Sequence, residues 1–196
     1  MFKSATTSLV TALVTALAIV AASVLSAAPL KLTPANPQPA NPKPGLSVSY
    51  AFPDRDLRTL GDARIALKTG AKAGTPLTGL DYRDTADGQP TLTSGKALNV
   101  AARIRGYVRF KAPGDYEIEF MSNDGVEAKI GGQVVGYYDG RQSCDTTRFV
   151  EVSVPQAGWY PVDVLYFQRL GTSCLHMRWG PAGGKRTWTP DAAFGR

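Results

Sequence analysis

The chain has 196 residues, 43% of them hydrophobic, and a formal net charge of +6. That length gives room for one domain with a proper core and a tail. The basic excess is modest and lacks the dense Lys/Arg clustering of a nucleic-acid binder.

In chain order, Lys3 is followed by no charge until Lys31, and an apolar run from Leu9 to Ala22 leads to Ser26-Ala27-Ala28. Residues 1–28 therefore read as a secretory signal peptide, cleaved after Ala28 to leave a mature protein that begins near Pro29. An uncleaved anchor is the competing reading, because the uncharged stretch is long enough to cross a bilayer. Its Ala, Thr and Ser content weakens a span. Both readings export the domain to a periplasmic, cell-surface or secreted location, and membrane contact is expected only through this segment. Residues 29–44 form a Pro-rich linker, with five prolines between Thr33 and Pro44 that favour an extended, semi-rigid spacer.

Residues 45–196 carry the period of half-buried strands. Ile104, Val108 and Phe110 alternate with Arg103, Arg105, Tyr107 and Arg109. After the turn Ala112-Pro113-Gly114, Tyr116, Ile118 and Phe120 alternate with Asp115, Glu117 and Glu119. The pattern predicts a β-hairpin in which Lys111 faces Asp115 and Arg109 faces Glu117, each pair contributing roughly 0.2–1 kcal/mol. A second turn is predicted at Ser122-Asn123-Asp124-Gly125. Further strands are predicted through Val126–Ile130, Val150–Val154, Tyr160–Tyr166 and Leu175–Trp179, the last with His176 outward. Asp54 to Leu98 is less regular: Arg64–Lys68 reads as a short strand and Asp81–Gly95 as loop. Beyond the signal no stretch has a convincing helical period. Short strands with Gly/Pro-rich turns predict an all-β antiparallel sandwich.

The residues offer little to catalysis. No Gly-x-Ser-x-Gly nucleophile motif is present, and a lone histidine, His176, is more often a packing residue than a catalyst. Glu117 and Glu119 have the separation of an inverting glycosidase pair, but cross-strand neutralisation by Arg109 is the simpler reading. The chain is thus expected not to be an enzyme. Arg103, Arg105 and Arg109 with Tyr107 form a basic, aromatic ladder suited to an acidic polysaccharide or to a solvated face neutralised by nearby acids. Trp159 and Trp188 fall near strand ends, where rings stack on sugars or cover the sandwich edge. Cys144 and Cys174, an even count in an exported chain, point to a disulfide. Free thiols or metal ligation remain the alternatives.

Several local patterns together resemble the protective-antigen-fourteen domain, a β-sandwich family. They are Gly45-Leu46 with Tyr50, Arg103–Val108, Gly114–Ile118, Ser122–Val126 into Ile130-Gly131-Gly132, Gly158–Val162, Tyr166–Arg169 and Leu175–Trp179. The resemblance spans Gly45 to about Pro190. It implies a jelly-roll-type sandwich among toxin parts, adhesins and glycosidase-appended modules. In the adhesin branch two adjacent aspartates and a second loop hold calcium, which contacts sugar hydroxyls. The matching positions here are Asn123 and Asp124, with Gln168, Arg169 and Thr172 on the second loop. The resemblance thus implies calcium at Asn123 and Asp124 and a ligand at all five. Asn123 supplies an amide for a carboxylate, the second loop has no Asp or Asn, and Arg169 repels a cation. Asn-Asp-Gly as a plain turn signal is the other reading. The expected function is an exported, non-catalytic carbohydrate-binding module whose partner is a glycan or envelope polysaccharide. The alternative is a structural module that binds an envelope protein.

Overall fold

The computed structural model describes Met1 and residues 28–196, so the signal or anchor expected over 1–28 lies almost wholly outside the described residues. In chain order the elements are β1 (Leu30–Lys31), β2 (Ser47–Ala51), α1 (Leu60–Gly70), β3 (Lys72–Ala73), β4 (Asp81–Tyr82), β5 (Val100–Phe110) and β6 (Gly114–Asn123). There follow β7 (Gly125–Ile130), β8 (Gln133–Tyr138), β9 (Asp145–Val154), β10 (Gly158–Gln168), β11 (Cys174–Pro181), β12 (Thr187–Trp188), a 3-10 turn at Asp191–Ala193 and β13 (Phe194–Gly195). One sheet has the order β1-β9-β6-β11-β12, with β4 also on β11; the other runs β3-β2-β5-β10-β7-β8, with β13 on β5. Apart from the parallel β1–β9 pair, the named ladders are antiparallel. This is the expected all-β sandwich.

The inward parity of each long strand fills the space between the sheets. Ile104, Val108 and Phe110 of β5 meet Ile118 and Phe120 of β6, Val164 and Tyr166 of β10, and Leu175 and Met177 of β11 in one buried cluster. The period of two thus gave the faces correctly. It did not give the partners. β5 and β6 are consecutive but belong to different sheets, so Ala112-Pro113-Gly114 is a corner and the predicted hairpin is absent. Arg109 lies opposite Trp159 on β10, not opposite Glu117. Glu117 and Glu119 point away from the core yet are buried, beneath the chain after β11: Glu117 accepts from the Gly183 N–H at 2.9 Å and pairs with Arg186. The glutamates are a neutralised structural pair. In the basic ladder Asp163 of β10 pairs with Arg103 and lies 3.6 Å from Arg105, whereas the Arg109 guanidinium lies over the Trp159 ring.

Two further expectations are corrected. Leu60–Gly70 is a helix, so Arg64–Lys68 is not a strand. Thr59 caps it: the hydroxyl accepts from Asp62 N–H, and the Asp62 carboxylate accepts from Thr59 N–H. Leu60, Ala63 and Ala66 pack with Ala51, Ala101, Leu165 and Phe167 on the outer face of the second sheet. The stripe is short and mostly alanine, which hides its period. The Pro-rich stretch, read as a spacer, is a strap laid on the sandwich. Leu32 and Ala35 are buried, Thr33 N–H donates to the Gly131 carbonyl at 2.9 Å, and Ala35 N–H donates to the Trp159 carbonyl at 2.8 Å.

Candidate functional site

β6 ends at Asn123 and β7 begins at Gly125, and the two strands lie in different sheets. Asn123-Asp124 is therefore a crossing between sheets, not a hairpin turn, and its peptide bond is cis. Gly125 is required for space, not for positive φ: a Cβ there would sit 2.3 Å from the Phe167 ring. The loop 169–173, between β10 and β11, lies beside this crossing. Cys174, at the start of β11, is opposite Asn123 and is bonded to Cys144, with Cα atoms 5.8 Å apart. The expected disulfide is present and anchors the far end of the loop.

All five positions singled out in the sequence meet here. Asp124 Oδ2 accepts from the Arg169 N–H at 2.8 Å. Asn123 Nδ2 donates to Thr172 Oγ1 at 3.2 Å, and the Asn123 carbonyl accepts from the buried Tyr166 hydroxyl. Gln168 Nε2 donates to the carbonyls of Leu170 at 2.8 Å and Thr172 at 2.6 Å, so one side chain sets the curve of the loop. The Ser122 hydroxyl donates to the Asp124 carbonyl at 2.8 Å. Burial raises the Asp124 carboxyl above its ordinary value, opposed by the N–H groups of Arg169 and Gln142 and the charges of Arg141 and Arg169.

Asn123, Asp124 and Gln168 are themselves buried, whereas Leu170 is 50% exposed and Arg169 and Thr172 are part-exposed. The buried three are a polar foundation and the loop is the accessible surface. Reading the sequence alone missed Asp56, whose carboxylate accepts from Arg169 Nε at 3.0 Å across 113 positions of chain. It also missed Gln142, whose Nε2 donates to the Ser122 carbonyl at 3.1 Å. No local motif marks either residue.

The donors present do not make up a calcium site. Such an ion takes six to eight oxygens, commonly with several carboxylates. Here the one carboxylate at the crossing already accepts backbone N–H groups, the Leu170 and Thr172 carbonyls are taken by Gln168, and two guanidinium groups bear on the same place.

His176, predicted to point outward, is 3% exposed. Its Nε2 lies 3.6 Å from Cys144 Sγ and its ring 4.7 Å from the Trp188 ring. Burial lowers its pKa. It is a packing residue under the disulfide. Trp188 is 37% exposed, with the Arg83 guanidinium 4.5 Å from its ring. Trp159 is half-buried, and its main-chain N–H donates to Gln38 Oε1 of the strap at 2.7 Å.

Solved structures show the same fold at low sequence identity. The PA14 domain of the MpAFP antifreeze protein is 18% identical, with a TM-score of 0.67 over 80% of this chain and 92% of that one. The PA14 sugar-binding domain from an RTX adhesin is 16% identical, with a TM-score of 0.61 over 78% and 98%. The epithelial adhesin 6 A domain from Candida glabrata, solved in complex with Galb1-3GlcNAc, is 13% identical, with a TM-score of 0.64 over 83% and 91%. No curated protein matches the chain in sequence. The sequence profile of the PA14 domain matches residues 42–191, and the chain belongs to that family.

Proposed function

We propose that the chain is an exported, non-catalytic carbohydrate-binding module that takes its glycan at the loop end of the sandwich, over Arg169, Leu170 and Thr172. One observation carries the reading: the fold shared with sugar-binding adhesin domains brings together the five positions 123, 124, 168, 169 and 172 at one loop held by a disulfide. Binding surfaces concentrate on loops displayed by a rigid scaffold, and a loop ordered in advance lowers the cost of binding. Arg169, paired with Asp56, presents hydrogen-bonding groups, and Leu170 offers an apolar surface to a pyranose face. Asn123, Asp124 and Gln168 act from beneath as positioning residues. The partner is a glycan or envelope polysaccharide, and calcium has no part in its capture.

A glycan array, read with and without a chelator, tests this. Binding is expected in both conditions, to be lost on Asp124→Ala through collapse of the loop, and to survive Arg103→Ala on the sheet face. Loss of binding on chelation restores the calcium role. The opposite ranking of the two variants moves the site to the basic ladder.

A further inference from the structure

Tyr116 and Asn123 lie near opposite ends of β6. At about 3.3 Å per residue they are roughly 23 Å apart. At the Tyr116 end the two sheets part around a cleft of about 490 Å³. That volume falls among small-molecule pockets, about 300–1,000 Å³.

Three aromatic rings line the cleft, Phe110 from β5, Tyr116 from β6 and Trp179 from β11. The Tyr116 and Trp179 ring centres each lie 5.0 Å from that of Phe110. Pro181 and Pro190 extend the apolar walls, and Arg109, Lys111 and Lys185, all exposed, stand at the rim. No Asp or Glu lines it. Two nearby acids are engaged elsewhere: Glu117 is held by Arg186 and the Gly183 N–H. Asp191 is turned to Gly79, where an added Cβ would sit 2.3 Å from its Oδ1.

This lining suits a sugar poorly. Sugar hydroxyls need acceptors as well as donors, and Thr187 carries the one side-chain oxygen besides Tyr116 among the lining residues. An apolar floor with uncompensated cations at its edge is complementary to a ligand with a flat apolar body and one anionic head. We propose that this cleft binds a small aryl carboxylate, its ring system against Phe110, Tyr116 and Trp179 and its carboxylate among Arg109, Lys111 and Lys185. The site is separate from the loop end and stands whether or not a glycan binds there.

The probe is 2-naphthoate, titrated into the full chain by calorimetry, with tryptophan fluorescence reporting on Trp179. The neutral isostere 2-naphthamide is the control. The expected result is saturable submillimolar binding of the naphthoate, with the amide weaker by at least about tenfold. Lys111→Ala combined with Lys185→Ala removes exposed side chains, leaves the fold intact by circular dichroism, and lowers naphthoate affinity by about tenfold or more. Arg103→Ala leaves that affinity unchanged. The proposal is overturned by no binding up to about 5 mM naphthoate, by equal affinity for the amide, or by undiminished binding in the double variant.

Discussion

Asp124 is a buried carboxylate whose acceptors are engaged by main-chain N–H groups. Asp124→Ala leaves those donors without a partner, and an unsatisfied buried group costs about 1–3 kcal/mol. Urea unfolding should show that loss. Asp124→Asn keeps an acceptor while shedding the buried charge, so its loss at neutral pH should be smaller. The pH dependence has a definite sign. The folded pKa is raised above 3.8, so between 3.8 and the folded value the native state holds more protons than the unfolded chain. Lowering pH through that window therefore adds stability through this group. The stability of the wild type minus that of Asp124→Asn should rise as pH falls from neutral towards 3.8 and level off below it. A difference that falls instead would mean that the carboxylate is favoured in its charged form.

Among the elements, the crossing between β6 and β7 depends on a glycine for a steric reason. Gly125→Ala places a methyl group 2.3 Å from the Phe167 ring, which belongs to the layer beneath α1. Overpacking of this kind costs about 1–3 kcal/mol, and thermal unfolding should register it. The same crossing shows what was legible in the sequence. Strand faces were, because alternation reports burial residue by residue: Ile118 and Phe120 are inside as expected. Partners were not, because alternation is blind to which sheet a strand joins, and two corners, at 111–114 and 123–125, looked like hairpin turns. The charged neighbours followed from that error: the glutamates assigned to Arg109 are held by Arg186. The helix was hidden by a stripe of alanines, and His176 by a face that β12 and the disulfide cover. The five positions at the loop end did converge, because family resemblance encodes spatial order that spacing alone lacks. The burial of Asn123, Asp124 and Gln168 was not legible, nor was the part of Asp56 and Gln142, which are remote in sequence and bond to Arg169 and Ser122.

For the whole molecule, the strap is part of the packed unit. Leu32 joins the main buried cluster, and an added Cβ at Gly131 would lie 2.9 Å from its Cβ. Leu32→Ala should cost about 2–5 kcal/mol. A loss near zero in chemical unfolding would mean that residues 29–44 detach freely in solution. The other extremity is equally committed. Phe194 is buried, β13 pairs with Val108 and Tyr107 towards the end of β5, and Lys43 and Arg196 exchange main-chain bonds of 2.8 Å. This arrangement imposes an order in time. A ribosome releases about 5–20 residues per second. Val108 and Phe110 emerge several seconds before Phe194, the side chain that helps to shield them, has been made. During that interval the nascent sandwich has a gap beside β5, and its apolar interior stays open to holding factors. Phe194 and Gly195, made long after β5, close that gap, so the fold is completed only once these two residues have emerged.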